Sequence, residues 1–69
     1  MIADYKNIIP NKVLFNLREV ENIGILKIDM AKKLIVNGEI EAVRIGNKLH
    51  ISRDVLIKYL EDNTMVKVA

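Results

Sequence analysis

The sequence contains no cysteine, which excludes a disulfide framework and any thiolate-held zinc or iron–sulfur centre, and which fits a reducing compartment. Histidine and serine each occur once, as His50 and Ser52. A Ser-His-Asp set would need Ser52 as its nucleophile, yet Ser52 stands where a helix cap is expected. A metal site would need His50 and converging carboxylates, and the neighbours of His50 are basic. No glycine-rich loop able to cradle a phosphate is present. Catalytic residues, metal ligands and cofactors are therefore not expected. No apolar run approaches the roughly 20 residues of a membrane span. The opening "MIADYKN" lacks the basic segment and long apolar stretch of a signal peptide. The expectation is a soluble, cytoplasmic, non-enzymatic protein without membrane contact.

What is present is apolar surface in a short chain. Sixty-nine residues leave room for one core, and 51% of them are hydrophobic, so the chain reads as globular. A core of this size usually supplies only about 3–5 kcal/mol. Net charge is +2, from 11 basic and 9 acidic residues, and decides little by itself. Its distribution says more. From Ala42 to Arg53 the chain carries Arg44, Lys48, His50 and Arg53 and no acid, with Glu41 just before and Asp54 just after. Such a run is more often a solvated face than a binding site, but here the charges gather on one short segment.

The hydrophobic period divides the chain. Residues 1–13 form a lead-in interrupted by Pro10, residues 14–62 the domain, and residues 63–69 a tail that is either loose or a short strand. Asn16-Leu-Arg-Glu19 has the capping-box pattern, with Phe15 and Val20 placed as a hydrophobic staple, so a helix is predicted from Leu17 to about Ile23. Gly24 breaks it. A second helix is predicted in "KIDMAKKLIVNG", where Ile28, Ala31, Leu34 and Ile35 recur at steps of three and four and Asn37-Gly38 supply the stop. The short link makes the two helices a helix-turn-helix pair.

In "AVRIGNKLHIS" the apolar residues alternate on both sides of Gly46-Asn47-Lys48, the mark of a β-hairpin. A three-residue loop, Gly46 to Lys48, would place Ile45 opposite Leu49, Val43 opposite Ile51 and Arg44 opposite His50. One face would then be wholly apolar and the other basic, so the buried-face argument selects this register. Ser52 caps a last helix that runs to about Asp62, with Ile51 and Leu56 as its staple. Tyr59 reads as a core residue, and Tyr5 has no assignable role.

The order helix, turn, helix, hairpin, helix defines the expected fold: a small α+β winged helix-turn-helix. Its physical use is on duplex DNA, whose major groove accepts one helix while a neighbouring hairpin reaches phosphates or the next minor groove. "LIVNGEIEAVRIGNKLHISRDVLIKYL" also resembles the excisionase family of DNA-binding domains, related to the winged module of MerR-type regulators. The resemblance is carried by Gly38-Glu39-Ile40, Val43-Arg44-Ile45-Gly46, Ser52-Arg53 and, upstream, "NLREV", and spans roughly Leu14 to Leu60. The chain departs from the family at Gly24-Ile-Leu-Lys27, where a polar cap usually precedes the second helix, and at Glu41, where a proline is common.

On the second helix, the face opposite the apolar stripe holds Asp29, Met30, Lys33 and Asn37, flanked by Lys32 and Val36. Lys33 suits guanine, Asn37 adenine or phosphate, and Met30 a thymine methyl; Asp29 suits cytosine or the positive end of its own helix. The second expected set is Arg44, Asn47, Lys48 and His50 on the hairpin with Arg53 at the start of the last helix, all reading as phosphate or minor-groove contacts. Each residue alone is equally well a solvated surface group. The resemblance implies duplex DNA as partner, bound by copies side by side, in a recombination directionality factor acting beside a site-specific recombinase (integrase) of a mobile element. The same chemistry serves a small MerR-like transcriptional regulator working with the transcription machinery. A third reading, from another class, is a protein-interaction module that uses the apolar "NIIP" and "MVKV".

Overall fold

The computed structural model describes residues 4–65 and arranges them as α1 (Tyr5–Ile8), β1 (Leu14–Asn16), α2 (Leu17–Asn22), α3 (Ile28–Val36), β2 (Val43–Ile45), β3 (Lys48–Ser52) and α4 (Arg53–Asn63). Among the described residues this is an α+β architecture of four helices and one three-stranded antiparallel sheet, in the order β1-β3-β2. None of these helices is long and apolar enough to cross a membrane. Thr64 and Met65 follow α4 without regular structure, and the rest of the expected tail lies outside the described residues.

Local chemistry sets the helix ends. The Asn16 side chain accepts from the Glu19 N–H at 2.8 Å, and the Glu19 carboxylate accepts from the Asn16 N–H at 3.1 Å, completing the capping box at the start of α2. The Ser52 hydroxyl accepts from the Val55 N–H at 3.2 Å and caps α4. Helix α3 ends on a Schellman pair: the Gly38 N–H reaches the Ile35 carbonyl and the Glu39 N–H the Leu34 carbonyl. Gly38 takes φ +78 there, a conformation that costs a residue with a Cβ about 1 kcal/mol or more.

The start of α3 has no local cap, since the Lys27 side chain makes no cap bond. The missing group comes from the preceding helix. A Glu21 carboxylate oxygen accepts from the Ile28 N–H at 3.0 Å, so α2 caps α3 across the turn and fixes the angle between them.

The core joins every layer. Phe15, Val20, Ile51 and Leu56 are fully buried, and Ile9, Leu17, Ala31, Leu34, Ile40 and Ile57 complete the cluster. The α2 stripe is buried at Leu17 and Val20, while Ile23 at its end stays 40% exposed. Tyr59 packs against the cluster as expected, and so does Tyr5. The lead-in belongs to this packing: α1 lies on α4, and Ile9 is a core residue. The Thr64 hydroxyl donates to the Leu60 carbonyl, so the Tyr5 hydroxyl is the donor in its own bond to Thr64, at 2.5 Å.

The hairpin register differs from expectation. The loop is the two residues Gly46-Asn47, so Ile45 faces Lys48, Arg44 faces Leu49 and Val43 faces His50. The reason is β1, a third strand not foreseen. It pairs with β3 through Leu14 and Ser52, Phe15 and Ile51, and Asn16 and His50. Burial of Phe15 against Ile51 fixes which face of β3 turns inward. Strand β2 is left at an edge beyond the core, with Val43 and Ile45 exposed at 43% and 52%, so burial cannot select its register. Turn chemistry does: Gly46 at φ +61 followed by a residue at negative φ suits a tight two-residue II′ turn. In consequence Arg44 and His50 do not share a face. Arg44 lies with Leu49 and Ile51, and His50 with Val43 and Asn16.

Candidate nucleic-acid interface

Helix α3 buries Ala31 and Leu34 and half-buries Ile28 and Ile35, which turns the opposite side outward. Asp29, Met30, Lys32, Lys33, Val36 and Asn37 are all exposed there, with Val36 at 83% and Met30 at 48%. Large apolar groups held in water on a helix that also carries lysines suit a contact surface with both apolar and polar partners. Asp29 occupies the first turn of α3, where a carboxylate complements the positive end of the helix.

Next to α3 the hairpin projects past the core. Arg44, Asn47 and Lys48 are exposed. Between hairpin and helices runs an open groove lined by Asn16, Leu17, Arg18, Ile28, Lys32, Lys48 and Leu49. Three cations from α2, α3 and β3 thus border one depression, and no acid lines it. Arg18 did not figure among the expected contact residues. Its signal was visible only as a cation within the capping box, and what gives it meaning is the packing of α2 beside β3.

Two expected members stand differently. Arg53 is turned to the lead-in: its Nε donates to the Pro10 carbonyl at 3.2 Å and an Nη to the Lys6 carbonyl at 2.5 Å. Its own N–H donates to the Val13 carbonyl at 3.0 Å. The guanidinium thus donates to the carbonyls of Lys6 in α1 and of Pro10 beyond it and ties the lead-in to α4, so in this structure Arg53 is turned to the chain's own backbone. His50 is half-buried, and its Nδ1 is enclosed without a hydrogen-bond partner among the described residues. It does not extend beside Arg44 as an outward phosphate contact.

One charged pair supports the frame. Lys12 donates to the Glu19 carboxylate, and its ammonium lies 5.5 Å from the Phe15 ring centre, over the ring. The Lys12 bond first, then the Asn16 N–H, holds the Glu19 carboxyl below the usual carboxylate range. Among the described residues no group of three or more histidines, cysteines or carboxylates is placed to hold a metal ion.

The site defined by this geometry is an exposed helix face and an exposed hairpin separated by a basic groove. Compared with protein-family models, curated proteins and solved structures, the chain matches none of them.

Proposed function

We propose that this chain is a sequence-specific duplex DNA-binding protein of winged helix-turn-helix form, with α2 and α3 as the helix pair, α3 as the reading helix and β2–β3 as the wing. The carrying observation is the basic groove between α3 and the hairpin, bordered by Arg18, Lys32 and Lys48. In this reading Lys33, Asn37 and Met30 meet base edges in the major groove, and Arg44, Asn47 and Lys48 meet the backbone or the neighbouring minor groove. Asp29 and Val36 border the reading face, and Arg53 is structural.

Within that class we favour an excisionase-like architectural factor, acting in the cytoplasm beside a recombinase at the ends of a mobile element. The support is the resemblance of residues 34–60 together with the small footprint of one domain, which suits several copies on adjoining sites. A MerR-like transcriptional regulator would use the same residues at a promoter. Fluorescence anisotropy against random duplex at low salt tests the class: measurable, salt-sensitive affinity is expected, and no binding to any duplex would overturn it. Sequencing the genomic DNA that the protein retains tests the role. Sites at element junctions are expected; sites confined to promoters would favour regulation.

A second reading has its own observation. Tyr5, Ile8, Ile9, Pro10, Ile23, Ile25 and Leu60 line an apolar depression where α1 meets α4, and Ile8 is 67% exposed. A protein-interaction module would use this side, and it predicts no affinity for duplex DNA.

A further inference from the structure

We infer that the groove between α2, α3 and β3 seats a backbone phosphodiester of the DNA, held by Arg18, Lys32 and Lys48. The inference rests on the DNA-binding reading and adds to it a site and a residue, Arg18. Three observations carry it.

First, the three cations come from three separate elements and border one concavity without an acid in its lining. Among the described residues none of them makes a salt bridge or a side-chain hydrogen bond. Elsewhere Lys12 pairs with Glu19, Lys58 with Asp62 and Arg53 with backbone carbonyls, while Lys6, Lys27, Lys33 and Arg44 are also without such a bond among the described residues; what sets the three apart is that they border one concavity. Like charges gathered at one place repel in the folded protein, and an anion between them removes that cost.

Second, the groove floor is built from held parts. Leu17 is buried, and Ile28 and Leu49 are half-buried against the core. Asn16 is fixed by its capping bond, and Ile28 is tied to Glu21. The cations therefore project from a rigid base, and the planar Arg18 guanidinium offers the fork that matches a phosphate.

Third, the position is dictated by duplex geometry. A protein that lays a helix in the major groove and a hairpin toward the adjoining minor groove must straddle the sugar-phosphate strand that divides them. The surface between helix and hairpin is the surface that meets that strand, and here it is the basic groove.

The test compares the wild-type chain with Arg18→Ala, Lys48→Ala, Arg18→Lys and Arg44→Ala on labelled cognate and random duplexes, alongside duplexes with a single neutral methylphosphonate at successive positions. Arg18→Ala should weaken cognate and random DNA alike, by roughly tenfold for a charged hydrogen bond. It should also lower the salt slope by about one unit. Arg18→Lys should restore part of the loss. One methylphosphonate position should weaken the wild type more than it weakens Arg18→Ala, which keeps Lys32 and Lys48 at the seat. If Arg18→Ala binds as the wild type does while Arg44→Ala is weakened, the phosphate seat is wrong and the DNA-binding reading survives. If the wild type binds no duplex at low salt, the reading itself fails. Inorganic phosphate is the third arm, followed by amide shifts at Arg18, Lys32 and Lys48. Shifts that saturate and are displaced by duplex support the assignment. Shifts that saturate and that duplex does not displace would assign the groove to a free anion and overturn it. The methylphosphonate map uses wild-type protein, so a map with no sensitive phosphate overturns the seat even if a variant fails to fold.

Discussion

The Arg53 guanidinium donates to the carbonyl of Lys6, closing a contact between residues 47 apart in the sequence. This bond ties the lead-in to the start of α4 and decides what Arg53 can do. Arg53→Ala should lower stability by about 1 kcal/mol, the usual scale for a hydrogen-bonded group of this kind at a partly open site. For a domain of this size the melting temperature should fall by roughly 4–8 °C. The salt slope of DNA binding should not change. A fall in slope of a full unit with stability intact would return Arg53 to the DNA contact set.

Total salt dependence follows from the contact set. With Arg53 removed and Arg18 added, the candidate phosphate contacts are Arg18, Lys32, Arg44 and Lys48. The slope of log affinity on log salt should be about −3 to −4. Titrations between low and physiological salt measure it directly, and a slope near zero with measurable affinity would rule out this footprint.

Helix and hairpin should separate in specificity. Lys33→Ala should weaken a cognate site more than random DNA, by about 1–3 kcal/mol if a good base contact is lost. Arg44→Ala should weaken both by similar amounts. Both side chains are exposed, so circular dichroism should report folded proteins. The reverse pattern in parallel titrations would exchange their roles.

The capping box should respond to acid. The Glu19 carboxyl is held below its ordinary range, chiefly by Lys12 and then by the Asn16 N–H. A depressed folded-state value means the unfolded chain takes up the proton first. The stabilisation is therefore present above the ordinary glutamate range and is lost as pH falls through the folded value. Glu19→Gln keeps an acceptor for the Asn16 N–H but not the charge. Wild type and variant should differ in melting temperature near neutrality, and the gap should narrow as pH falls below the ordinary glutamate range. A gap that stays constant over this range would show that the charge is not the cause.

Much of this fold was written in short-range signals. Asn16 with Glu19 announced one helix, Ser52 another, and the spacing of Ile28, Ala31, Leu34 and Ile35 a third. Each is a local interaction within one turn of backbone. What escaped was non-local. Leu14-Phe15-Asn16 is too short to show alternation and becomes a strand only because β3 pairs with it. The α3 cap comes from Glu21, seven residues before the group it satisfies, so no local pattern could show it. The expected hairpin register rested on a buried face that β2 does not have, and the two-residue turn sets the register instead. For the candidate site, the exposed face of α3 was legible from periodicity alone. Arg18 and Arg53 exchanged standing because their surroundings are set by α2 beside β3 and by α1 against α4.

The strand order β1-β3-β2 has a mechanical consequence. Strand β1 runs straight into α2, which caps α3 through Glu21, and β3 is both the middle of the sheet and one arm of the hairpin. Helix and hairpin are thus two jaws on one frame, joined through the Phe15–Ile51 pair as well as through residues 37–42. Under the proposed DNA-binding function, such a calliper would have its opening set before any duplex arrives. Little ordering would remain for the protein on contact, and the adjustment would fall to the DNA, whose groove spacing would have to come to the fixed gap. Sequences that yield easily at that step would be favoured even where no side chain touches a base.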